Sequence, residues 1–123
     1  MKIQKYCIYN LDFSYTRIYE EIEIDFRGIL SYHVINPERL KEVTKGLLDL
    51  DSVNVFLSFQ IQRHIDMILT NVTVDEIINQ RPIIINRLKM VMRRELEDIG
   101  LEFVDFKRIA LWGYGAADRG IHV

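Results

Sequence analysis

The chain has 123 residues, 49% of them hydrophobic and 28% charged, with a formal net charge of −2. That length and balance describe one soluble domain with a single core, neither disordered nor fibrous. The missing basic excess argues against nucleic acid as a partner, no segment approaches the ~20 apolar residues of a membrane span, and a lone cysteine, Cys7, excludes an internal disulfide.

The first third reads as strands. Lys2 to Tyr9 is rich in Ile and Tyr, and Asn10, Asp12 and Ser14 supply turn chemistry. Tyr15 to Ile24 alternates, with Tyr15 and Arg17 on one side and Ile18, Ile22 and Ile24 on the other, the isoleucine side packed. Asp25-Phe26-Arg27-Gly28 can bend or bulge the chain before a further strand, Ile29 to Ile35. The expectation is an antiparallel meander.

Asn36-Pro37 switches the period, because Asn is a good N-cap and Pro is tolerated at the first helical position. A helix is predicted from Pro37 to about Leu48, ending near Gly46. After a second cap at Asp51-Ser52, Leu57, Ile61, Ile65, Ile68 and Leu69 form one apolar stripe to about Thr70. Thr73-Val74-Asp75-Glu76 is a capping box, and Pro82 divides the next helical stretch into a short helix to Asn79 and a longer one from near Arg81. Ile85, Leu88, Met92, Leu96 and Ile99 give the longer helix its core stripe, and Gly100 stops it. Leu101 to Leu111 is a closing strand. The fold class is α+β: an antiparallel sheet, made of the N-terminal meander plus a C-terminal strand, packed against three to four helices. The domain spans 1–111, and 112–123 is a flexible tail rich in glycine and aromatics.

The chain offers little reactive chemistry. His33, His64 and His122 are far apart in sequence, without the close ligand spacing of a zinc site, so no metal and no cofactor is expected. Cys7 sits between Tyr6 and Ile8 and reads as a buried structural thiol. Gly113-Tyr114-Gly115 has no helix after it to make a phosphate loop. Glu20, Glu21, Glu23 and Asp25 alternate between faces and define no acid–base pair. The candidates are therefore for interaction. Arg93, Arg94, Glu97 and Asp98 put opposite signs in adjacent turns, which suits head-to-tail pairing of identical subunits. Trp112 and Tyr114 are anchors for a partner surface, or fold back on the domain.

Three places carry a resemblance to a known family. Gly28-Ile29-Leu30-Ser31-Tyr32-His33-Val34-Ile35-Asn36-Pro37, Thr73-Val74-Asp75-Glu76-Ile77-Ile78-Asn79-Gln80-Arg81, and Leu88 through Gly100-Leu101-Glu102-Phe103 occur in the order and spacing of an SPFH, or band-7, domain. That is the module of stomatins, prohibitins and flotillins, and Phe103-Val104-Asp105-Phe106 looks closest to its bacterial virion-core-like branch. The resemblance implies a non-enzymatic scaffold that self-associates, cytoplasmic, peripheral at a membrane or an adaptor for a partner protein. The family's anchoring hydrophobic segment, extended coiled coil and zinc ribbon do not occur in these 123 residues, which read as an excised or minimal version. The alternatives are a small α+β enzyme or ligand-binding domain using His33 or His64, and a dedicated protein-partner binding module.

Overall fold

The computed structural model describes residues 1–19, 21–46 and 48–115. They form two long strands, four helices and a third strand: β1 (Ile8–Tyr19), β2 (Ile22–Val34), α1 (Pro37–Val43), α2 (Leu50–Thr70), α3 (Val74–Asn79), α4 (Arg81–Asp98) and β3 (Leu101–Gly115). The sheet is antiparallel in the order β1-β2-β3, so the class is α+β as expected. The helices cover one face, α2 mainly over β1 and both α3 and α4 over β3.

The helical half matches its sequence signals closely. Asn36 accepts from the Arg39 amide, with Pro37 at the helix start. Thr73 and Glu76 close the capping box through backbone-to-side-chain bonds of 3.1 and 3.2 Å. Two boundaries differ. The first helix ends at Val43 because Lys45 and Gly46 both turn to positive φ, 59° and 102°. The second begins earlier, capped by Asp49. The expected core stripes are mostly kept, with Val53 added in α2 and Ile84 buried in place of Ile85 in α4. Val53, Leu57, Ile61, Ile65 and Leu69 fill the core from α2, and Ile84, Leu88, Met92 and Leu96 from α4, leaving Ile68 and Ile85 half-buried.

The N-terminal strands correct the expected meander. Residues 2–7 form no strand of their own and lead into β1, which takes in Ile8 and Tyr9; they meet the rest through a bridge between Lys2 and Asp49, scattered backbone bonds and the buried side chain of Ile3, and Cys7 is half-buried. Asn10, Asp12 and Ser14 lie inside β1, on its wet face. The hairpin turns where one strand was expected, and Tyr19 pairs with Ile22. That turn inverts the facing of the first arm: Tyr15 and Arg17 look toward α2, and Ile18 is exposed.

The bend expected at Gly28 is present as a register shift between Arg27 and Ile29. Opposite it, β3 carries the extra residue, with Arg108 at φ 49°. A Cβ on Gly28 would stand 3.1 Å from the Phe13 ring and 3.2 Å from the Ile109 Cα, so the bulged strand and the ring close over bare backbone. The third strand runs on past the expected end at Leu111 to Gly115, and residues 116–123 of the expected tail lie outside the described residues.

Candidate functional site

Gly100 organises one end of the molecule. Ending α4 at φ 88°, it presents its carbonyl to the amides of Ile35 and Asn36 at 3.1 and 2.8 Å. The end of α4, the start of α1 and the start of β3 are thereby tied together. Between them lies a cleft of about 500 Å³ lined by Arg39, Arg93, Glu97, Asp98, Glu102 and Phe103, with Ile35, Asn36, Gly100 and Leu101. The Arg93 guanidinium lies over the Phe103 ring at 5.4 Å from its centroid. Arg39 spans the cleft, its Nε donating to the Asp98 carbonyl at 3.0 Å and its Nη1 to Glu42 at 3.0 Å. Opposite charges therefore alternate across a concave surface, and the arginines are held in position by a ring and a carbonyl.

Three of the four charged candidates, Arg93, Glu97 and Asp98, meet in this cleft. Arg94 does not. It lines a second groove, of about 460 Å³, between α2 and α4, together with His64, Ile68, Arg87, Met90, Val91 and Glu95. Trp112 is part of β3, on the sheet face turned away from the helices, beside Asp25 and 37% exposed. The Arg27 guanidinium sits 5.6 Å from its ring centroid and 3.8 Å from the Asp25 carboxylate, which also accepts from Thr16 at 2.8 Å. Tyr114, also in β3, pairs with Glu23 of β2 through its backbone, and as a side chain it lies outside the described residues. Sequence reasoning missed Arg39, Glu102 and Phe103 as members of the cleft. Gly100 was the available signal, since a stop that ties three elements together brings their flanking side chains to one place.

The histidines separate. His33 stands on the outer sheet face with Nδ1 3.5 Å from Glu102 of the neighbouring strand, and its ring tilts against Tyr6. His64 is mostly buried in the groove, where Nε2 comes within 3.5 Å of Glu95 but makes no hydrogen bond. Arg63 reaches the same carboxylate at 3.6 Å. Among the described residues lining the groove, no Ser, Thr, Cys, Tyr or Lys stands beside that pair. Among the described residues, no three of His, Cys, Asp and Glu are disposed to hold a metal ion.

Elsewhere the polar groups tie the sheet to its helices. The Tyr32 hydroxyl donates to Asn54 at 2.7 Å, and burial, with Tyr9 nearby, pushes its pKa far up. Asp66 of α2 accepts from Tyr15 at 2.6 Å and pairs with Arg17. The Tyr15 hydrogen bond, then the Arg17 charge, hold that carboxyl below its ordinary value.

Residues 9–110, more than four-fifths of the chain, match the family described as SPFH domain / Band 7 family. The chain belongs to that family. The match takes in most of the sheet, all four helices and the cleft at Gly100, with all three segments that carried the likeness in the sequence. SPFH domains are in general membrane-associated, oligomerising scaffolds without enzymatic activity. No curated protein and no solved structure matches the chain. No helix among the described residues is long and apolar enough to cross a membrane.

Proposed function

We infer that this SPFH domain is a scaffold that works by self-association, with the cleft at the end of α4 as the contact between copies. The observation that carries the reading is the arrangement of Arg93, Glu97 and Asp98. Opposite charges one turn apart line a concave surface, with Arg39 and Glu102 facing them. Such a surface is complementary to itself only when offset, which favours head-to-tail contacts that propagate into rings or filaments. The edge strands β1 and β3, long and unpaired on their outer sides among the described residues, would extend the contact. Trp112, stacked under Arg27, is the aromatic anchor this reading places on the sheet side. Peripheral attachment to a membrane and a cytoplasmic setting accord with the family, and among the described residues no helix is long and apolar enough to cross a membrane.

Size-exclusion chromatography with light scattering tests the reading on wild type and Glu97→Lys. We expect higher-order species in the wild type at low salt and a shift toward monomer in the variant. A wild type and a variant that elute alike, both oligomeric or both monomeric, would remove the cleft from the contact.

A further inference from the structure

The groove between α2 and α4 lies on a different side of α4 from the cleft. Its floor is formed by half-buried Ile68 and Val91, while Met67 and Met90 stand 56% and 71% exposed along it. Exposed methionines give an apolar surface that adapts to irregular partners. The charges around that floor are one-sided. Arg87 and Arg94 are exposed, seven residues apart on one row of α4, hence about 10 Å apart along the helix, with Met90 and Val91 between them. Neither makes an ion pair among the described residues. Glu95, the only carboxylate among the described residues lining the groove, already faces Arg63 and His64. Two uncompensated guanidiniums therefore flank an apolar strip with the repeat of two helical turns.

The complement to that pattern is another helix, with carboxylates two turns apart and apolar side chains between them. A helix laid along the groove would repeat at the same pitch as α4, so both carboxylates meet an arginine in one register. Each guanidinium fork can then bind its carboxylate through two hydrogen bonds. We propose that the α2–α4 groove docks an acidic amphipathic helix of a partner protein, its carboxylates on Arg87 and Arg94 and its apolar face on Met90, Val91 and Ile68. The site uses none of the cleft residues, so it stands apart from self-association.

The test is fluorescence anisotropy on the full chain with a labelled synthetic helical peptide carrying two glutamates two turns apart and a pair of leucines between them. Saturable binding is expected, weakened by at least about tenfold, or about 1.4 kcal/mol, in Arg87→Glu/Arg94→Glu. A peptide with lysines in place of the glutamates should bind that variant in preference to wild type, and Arg87→Ala/Arg94→Ala should favour neither peptide. Circular dichroism of the variants should match wild type, because both arginines are exposed. Three results would overturn the proposal: no binding of the acidic peptide to wild type, equal binding of the two peptides, or binding indifferent to the reversal. Binding of phosphatidylserine vesicles through the same arginines, undisturbed by the acidic peptide, would also overturn it and assign the groove to a lipid surface. The oligomeric state of the chain, measured separately, bears only on the cleft.

Discussion

Replacing Gly100 with alanine should unfold the cleft before it disturbs anything else. A Cβ at this position would stand 2.4 Å from the Asn36 carbonyl oxygen and 3.1 Å from the Arg39 Cβ. The nearest obstacle is backbone, so it cannot be relieved by a rotamer change. An L-residue at φ 88° also loses roughly 1 kcal/mol relative to glycine. Moving Asn36 away breaks the two bonds that Ile35 and Asn36 donate to the Gly100 carbonyl, each contributing about 0.5–1.5 kcal/mol net. The sum is about 2–4 kcal/mol, and at about 4 °C per kcal/mol for a domain of this size the midpoint should fall by about 8–16 °C. Gly46 supplies the control: its φ is 102°, but a Cβ there would meet nothing within 4 Å. Gly46→Ala should therefore lose only the backbone term, about 1 kcal/mol and about 4 °C. Thermal and urea unfolding of both variants decides the matter. Equal losses would show that the close approach to Asn36 contributes nothing and would refute the account of how Gly100 ties the three elements.

Three further outcomes rest on single contacts. Tyr32→Phe should cost about 1 kcal/mol in urea unfolding, because it leaves the Asn54 oxygen without its donor inside the protein; in wild type the Tyr32 phenol should ionise well above the ordinary tyrosine value of 10.0 in an ultraviolet titration. The Asp66 carboxyl is more acidic folded than unfolded, so its contribution is complete above the ordinary value of 3.8 and is lost as pH falls through the lower folded value. The stability difference between wild type and Asp66→Asn, measured by denaturant titration at a series of pH values, should accordingly be constant near neutrality and shrink below about pH 4. A difference that grows on acidification would contradict that sign. Thr73→Ala removes one half of the capping box and should cost about 1 kcal/mol, with Thr73→Ser close to wild type in the same unfolding assay.

The helical half was legible because its signals are local. Asn36-Pro37, the Thr73–Glu76 box, Pro82 and Gly100 each act within one turn, and each sits where its chemistry requires. The strand half misled for two identifiable reasons. The hairpin turns between Tyr19 and Ile22, with Glu21 at φ 76°, and the sequence between those strand ends holds none of the glycine, asparagine or proline that marks most turns. Asn10, Asp12 and Ser14 have turn composition but stand on the exposed face of β1, where Asn10 accepts from Ser31 of the neighbouring strand. Missing the real turn inverted the facing of Tyr15, Arg17 and Ile18. The candidate charges on α4 were found from helix spacing alone. Their division between two surfaces was not, because it depends on where α2 and β3 approach the helix. The pairings of Arg93 with Phe103 and of His64 with Glu95 join residues that only the tertiary fold brings together.

The measurement that bears most directly on the scaffold reading is sedimentation equilibrium of the wild-type chain over a concentration series, at low and high salt. Self-association through the charged cleft predicts a weight-average mass that rises with concentration and falls back toward 14.6 kDa as salt screens the contact. A mass fixed at the monomer value up to roughly millimolar concentration at low salt would contradict it.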